Sequence, residues 1–210
     1  MIYHRIKIRK HFTISFNSSM FLEQFTKENG QQGWIEVICG SMFSGKTEEL
    51  LRRLRRAEFA KQSILLFKPI IDDRYATEAV VSHQGQSWVA KRVAAAIEIQ
   101  NSWQGEQIVA IDEAQFFDAA VVQVCSELAN KGVRIIVAGL DMDFKGVPFG
   151  PMPQLMAIAE YVSKVHAVCV HCGKLAQFSH RTVAQTQQVL VGAVEKYQPL
   201  CRSCYQNAMQ

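Results

Sequence analysis

The chain has 210 residues, enough for one ordinary globular domain with a small appendage, and its 49% hydrophobic and 20% charged residues suit a protein with a real core. A net charge of +4 agrees with an anionic substrate but comes without the dense basic stripe of a dedicated nucleic-acid binder. No apolar run approaches the roughly 20 residues needed to cross a bilayer, so neither nucleic acid nor a membrane is an expected partner.

Residues 1–29 stand apart from the rest. Their first stretch, "MIYHRIKIRKHFTISFNSS", has four Lys/Arg, two His and no acid, and lacks the apolar run and small-residue cleavage site of a secretory signal. It is read as a disordered extension outside the fold. "GWIEVIC" (33–39) is a buried strand that breaks at Gly40, and "TEELLRRLRRAEFAKQ" (47–62) is an amphipathic helix with Leu50, Leu51, Leu54 and Ala57 along one face. "SILLFK" (63–68) reads as a second buried strand stopped by Pro69, followed by a less regular stretch to Trp103 in which "AAAIEIQ" has helical character. "QIVAIDEAQFF" (107–117) begins as a strand and ends in acids. "DAAVVQVCSELANKG" (118–132) is a helix with Asp118 as N-cap and Gly132 as its stop. "VRIIVAGLDMDF" (133–144) is a further buried strand with acids past its end, "GVPFGPMP" a loop and "QLMAIAEY" a short helix. Continuous apolar strands alternating with helices predict a mostly parallel sheet covered on both faces. Ligands gather at the carboxyl ends of such strands, where Gly40, Asp112 and Asp141 all fall.

Gly40-Ser41-Met42-Phe43-Ser44-Gly45-Lys46-Thr47 fills every fixed position of G-x-x-x-x-G-K-[ST], with a strand before it and a helix after it. Glycines let backbone N–H groups curl around phosphate oxygens, and the helix N-terminus adds positive potential. Lys46 is then expected to reach the β- and γ-phosphates and Thr47 to ligate magnesium, with Asp112 as the strand-end carboxylate for the same ion. Glu113 follows at once. Adjacent strand positions point opposite ways, so one acid can face the metal while the other faces an incoming nucleophile, or Glu113 is simply a solvated strand-end acid.

The six cysteines divide into two kinds. Cys39 and Cys125 sit alone in apolar segments as buried small hydrophobes. Cys169-x-x-Cys172 and Cys201-x-x-Cys204 form two pairs, which in a reducing compartment point to metal rather than disulfides. Four thiolates fit a closed tetrahedral zinc site, structural rather than catalytic, that would tie both ends of residues 173–200. Two classes of function fit these motifs: a kinase acting on a small hydroxyl, and an ATPase working on nucleic acid.

"GSMFSGKTEEL", "KPIIDDRY", "SHQG", "IDEAQFF", "AGLDMDFKGVPFGPMPQLMAIAEYVSK", the CxxC pairs and "VGAVEKY" together resemble the type II, zinc-containing thymidine kinase family. The resemblance runs in order from about Gly33 to Tyr205. It implies a RecA-like α/β P-loop domain over residues 30–165 and a small zinc-binding domain with a substrate-covering loop over residues 166–210. It also implies ATP-dependent phosphorylation of the 5′-hydroxyl of thymidine, with ATP, magnesium and structural zinc, in a cytoplasmic homotetramer. Glu113 becomes the base, with Lys46 and Arg74 (in "IDDRY" with Asp72) beside it. The nucleotide falls to the phosphate loop with Asp112, Glu113, Ala114 and Gln115. Phe144, the stretch Gln188, Val189, Leu190, Val191 and Gly192, and Tyr197 are implied to contact the nucleoside. Met42, Phe117, Leu140 and Phe149 resemble its apolar wall.

Overall fold

The computed structural model describes residues 32–71, 79–81, 87–183 and 196–210. The N-terminal extension, Asp72, Arg74, "SHQG" and the stretch 188–192 lie outside the described residues. The chain runs through β1 (Trp34–Gly40), α1 (Lys46–Phe59), β2 (Ile64–Pro69), β3 (Ala79–Val81), β4 (Ser87–Val89), β5 (Lys91–Val93), α2 (Ala96–Ser102) and β6 (Ile108–Ile111). A 3-10 turn (Ala114–Phe116) leads to α3 (Ala120–Asn130), β7 (Arg134–Leu140), α4 (Met152–Ile158) and β8 (Tyr161–Lys164). The chain then forms β9 (Ala167–Val168), β10 (Leu175–Ala176), β11 (Phe178–Arg181), β12 (Tyr197–Leu200) and α5 (Arg202–Ala208).

Six strands make one sheet in the order β5-β2-β6-β7-β1-β8, and every pairing within it is parallel. Alternation along β1 and β7 sends Ile35, Val37, Cys39, Ile135 and Val137 to the face covered by α2, α3 and α4. Ile38, Ile136 and Ala138 point the other way, into a core closed by Leu50, Leu51, Leu54 and Ala57 of α1. Each of those leucines contributes about 1.5–3 kcal/mol by leaving water. Burial raises the Cys39 thiol to about 11, helped by the Asp141 carboxylate, and raises Cys125 to about 12, so both remain neutral packing groups.

The N-cap of α3 is Ala119 rather than the expected Asp118, which lies one residue ahead of it and serves two helix starts. Asp118 Oδ1 accepts the backbone N–H of Ala120 at 2.9 Å, while its Oδ2 accepts that of Ala96 at 3.1 Å, so one carboxylate serves the starts of α3 and α2. Several boundaries depart from expectation, and α1 ends at Phe59 rather than at Gln62. Pro69 closes β2 rather than preceding a break, because a strand's last residue can go without a donor. The short helix α4 begins at Met152 and ends at Ile158, earlier than "QLMAIAEY" suggests. Tyr161 then opens β8, a four-residue strand with an exposed, exposed, half-buried, exposed pattern, too short and too open at the sheet edge to show a period.

Charge is also buried where the apolar strand pattern gives no hint of it. Glu36, in the middle of β1, is fully buried and accepts from Arg53 Nη1 at 2.7 Å, Arg134 Nε at 2.7 Å and Trp34 Nε1 at 2.7 Å. Arg53 continues to Glu49 at 2.8 Å and to Ser163 of β8 at 2.9 Å, tying α1 to both β1 and the edge strand.

A third, smaller core gathers Ala167, Cys169, Ala176, Phe178, Leu200, Cys201 and Tyr205, all from the last part of the chain. Phe43 of the glycine loop and Met142, just past β7, pack against it, so this small unit sits on the carboxyl edge of the sheet.

Candidate active site

The glycine loop joins the end of β1 to the first turn of α1. A side chain at Gly40 would drive its Cβ to 2.2 Å from the carbonyl of Val165, and Gly45 takes φ 83°, so both glycines are required by the backbone path. Lys46 Nζ donates to the Ser41 carbonyl at 2.8 Å, and Ser44 Oγ donates to the same oxygen at 2.7 Å. The ammonium is thus folded over its own loop at the helix N-terminus, where a phosphate would meet it.

Thr47 Oγ1 lies 3.3 Å from Asp112 Oδ2. A hydroxyl from the start of α1 and a buried carboxylate from the end of β6 therefore face each other, two oxygens of the kind a hard divalent cation takes. Asp112 Oδ1 accepts the backbone N–H of Glu113 at 2.9 Å. The two acids do serve different partners, but strand alternation is not the reason. β6 ends at Ile111, and Glu113 takes φ 52° and ψ 40°, a left-handed conformation that L residues seldom adopt. That turn re-aims its carboxylate, whose Oε2 accepts from Gln115 Nε2 at 2.5 Å. Gln115 is itself buried, and its Oε1 accepts the backbone N–H of Leu140 at 2.9 Å. The carboxylate is half-buried and held, not a loose surface acid.

The four paired cysteines come together. Their sulfurs all lie within 4.8 Å of one another, with Cys172 Sγ and Cys201 Sγ 3.6 Å apart. Burial pushes the Cys169 thiol up, but the backbone N–H groups of Cys201, His171 and Cys172 outweigh it and bring it down to about 6. Crowding by the thiols of Cys201 and Cys172 pushes Cys204 up to about 12. Four thiolates at such distances repel one another unless a cation lies among them, and an all-sulfur tetrahedral set suits zinc.

The zinc-type unit and the phosphate loop touch directly. Ser179 Oγ on β11 accepts the backbone N–H of Met42 at 2.9 Å. Tyr205 Oη on α5 donates to the carbonyl of Phe144 at 2.8 Å, and its ring stacks on Phe178 with centroids 4.4 Å apart.

The thymidine kinase family model matches residues 33–205. The chain belongs to the thymidine kinase family. A thymidine kinase of Bacteroides fragilis strain YCH46 is 58% identical over 191 residues, covering 91% of this chain and 96% of that protein. One from Porphyromonas gingivalis strain W83 is 56% identical over 175 residues, 83% of this chain and 86% of that one. One from a Rhodothermus species is 52% identical over 180 residues, 86% and 84% respectively. Among solved structures, the ATPase DotB of Legionella pneumophila matches with a TM-score of 0.38 at 15% identity, over 61% of this chain and 35% of that one. Family membership makes the protein an ATP-dependent nucleoside kinase, a phosphotransferase.

Within this kinase the other anticipated residues fall in three settings. Phe144 is half-buried beside the small core, and Tyr197 opens β12 opposite Arg181. Phe117 is buried in the sheet core beneath α3, and Phe149 is buried with its ring edge-on to Phe116 at 5.6 Å. Leu140 and Met42 are half-buried, and their backbone N–H groups are held by Gln115 and Ser179. Asp141, the third strand-end acid, pairs with Lys164 at 2.8 Å. Sequence reasoning missed Ser179 and Arg181, which share one face of β11. Their signal was faint: alternating polar residues in "FSHR", a strand of four.

Proposed function

We propose that the kinase transfers the γ-phosphoryl group of ATP to the 5′-hydroxyl of thymidine, with Glu113 as the base that takes the hydroxyl proton. The observation that carries this reading is the Glu113 carboxylate itself. It is turned out of the strand direction by a left-handed residue, fixed by Gln115, and placed one residue from the Thr47–Asp112 oxygen pair. Phosphoryl transfer passes through a loose transition state, so positioning and charge neutralisation do most of the work and a carboxylate is base enough.

In this reading the backbone of Gly40–Thr47 cradles the triphosphate, and Lys46 swings from the Ser41 carbonyl to the β- and γ-phosphates. Thr47 and Asp112 would hold magnesium, which neutralises charge building on the phosphate oxygens. Glu113 lines up the 5′-hydroxyl and accepts its proton at a carboxylate oxygen. Phe144 and Tyr197, with Met42, Phe117, Leu140, Phe149 and the stretch 188–192, are assigned to the nucleoside side of the site. Buried polar groups matched to one base edge reject a wrong base by about 1–3 kcal/mol for each group left unpaired. Arg74 belongs to the same proposal as a steadying charge near Glu113. The reading extends to zinc at Cys169, Cys172, Cys201 and Cys204, and to a cytoplasmic homotetramer. Among the described residues no helix is long and apolar enough to cross a membrane.

The test is a panel of nucleosides with ATP and magnesium, scoring which acquires a labelled phosphate. Thymidine is expected to be labelled well ahead of deoxycytidine and the purine nucleosides, and equal labelling of all would defeat the substrate assignment. Metal analysis is expected to find about one zinc per chain, as one closed four-cysteine site requires. Because zinc binding to such sites is folding free energy, a strong chelator should lower the melting temperature and abolish activity together. A metal-free chain that stays folded and active would remove zinc from the account.

A further inference from the structure

Arg181 stands out among residues that the mechanism above does not use. It is 7% exposed, and its position at the end of β11 places it directly opposite Tyr197 of β12 in the antiparallel ladder. Its Nε and Nη2 both donate to the Tyr197 hydroxyl, at 3.1 and 2.7 Å. The carbon of its guanidinium lies 3.6 Å from the centre of the Phe144 ring, close enough for the planar cation to lie against the π face. One side chain therefore grips both aromatic residues assigned to the nucleoside side of the site.

The two faces of β11 divide the labour. Phe178 and His180 face Tyr205, within the small core by the cysteines. Ser179 and Arg181 face the other way, Ser179 to the phosphate loop through Met42 and Arg181 to Phe144 and Tyr197. The hydroxyl of Tyr197 has two acceptor lone pairs and one proton. With both acceptor sites taken by Arg181, what it presents to the site is an O–H donor.

We infer that Arg181 is a positioning residue for nucleoside binding: it clamps the Phe144 ring and fixes Tyr197 as a hydrogen-bond donor toward the nucleoside. The inference rests on the proposed thymidine reading and adds a determinant of nucleoside affinity to it. A contact made equally in the ground and transition states changes KM and leaves kcat alone. Losing a hydrogen-bonded charge behind a binding wall amounts to roughly a tenfold change.

The experiment is a double-mutant cycle on Arg181→Met and Tyr197→Phe, each with full steady-state kinetics and zinc content. Arg181→Met should raise the thymidine KM about tenfold with the ATP KM within about twofold. Tyr197→Phe should raise the same constant, and the double variant should be no worse than the worse single one, because both remove one interaction. Arg181→Lys keeps a charge but offers no planar face for Phe144. It should also raise the thymidine KM, and it serves as the readout if the Met variant binds less zinc. Additive losses, or a fall in kcat with unchanged KM, would overturn the role of Arg181. Wild-type protein in the same assay separates the two readings: if it leaves thymidine unphosphorylated, the substrate is wrong whatever the variants do.

Discussion

Replacing Glu113 with Gln is expected to lower kcat by roughly 10²–10⁴ while ATP still binds, as befits the loss of general-base catalysis. The amide has nearly the shape of the carboxylate, and its oxygen can still accept from Gln115 Nε2, so the left-handed turn and the local packing survive. What disappears is a group able to take the 5′-hydroxyl proton. Because that interaction exists only in the transition state, kcat and kcat/KM for thymidine should fall by the same factor, with the thymidine KM little changed. Turnover within a few-fold of wild type would show that the proton leaves by another route and would strip Glu113 of its role.

The second large effect is on stability. Glu36→Gln should destabilise the fold by about 3–5 kcal/mol, since removing one member of a buried ion network strands its partners. Arg53 and Arg134 are each 2% exposed and both converge on the Glu36 carboxylate, so an amide there leaves two guanidinium groups facing one neutral oxygen. For a chain of this size that corresponds to a fall in melting temperature of about 10 °C. Glu49→Gln is the contrasting case. Glu49 also pairs with Arg53 and with the surface residue Arg52, but it keeps access to water, and its loss should cost less than about 1 kcal/mol. If the two variants melt together, burial is not what gives the Glu36 network its weight.

The two faces of the sheet, α1 with its leucine stripe, the helix-start carboxylate of Asp118 and the stop at Gly132 were all legible because they rest on short-range rules. Hydrophobic period, capping chemistry and glycine dihedrals act within a few residues. The phosphate loop was legible for the same reason: its motif encodes a local backbone path, and the structure realises it with Gly40 where a Cβ would meet the Val165 carbonyl and Gly45 in a left-handed conformation. The cysteine pairs declared a metal site by spacing alone, and their sulfurs do meet.

Less was visible wherever a residue's partner is distant in the chain. Nothing in the local pattern around Glu36 in its apolar strand, or around Arg53 in its arginine-rich helix, names a partner. Only the convergence on Glu36 of Arg53 and of Arg134, 98 positions beyond Glu36, makes them a buried network. β8 was missed because an exposed four-residue edge strand carries too few residues for a period. The divergence of Asp112 and Glu113 was anticipated for the wrong reason, since periodicity describes strands and not the left-handed residue that ends one.

By itself, then, the sequence determined the local chemistry: which loop can cradle a phosphate, which acids stand at a strand end, which sulfurs can share an ion, and through its motifs the thymidine kinase family. The tertiary structure alone decided how these parts are oriented: the aim of the Glu113 carboxylate through Gln115, the joining of the phosphate loop to β11 of the cysteine-bearing unit through Met42 and Ser179, and the clamp of Arg181 on Phe144 and Tyr197. The physical reason is range. Dihedral preference and burial period are properties of neighbours, whereas side-chain hydrogen bonds and ion pairs depend on which segments packing brings together.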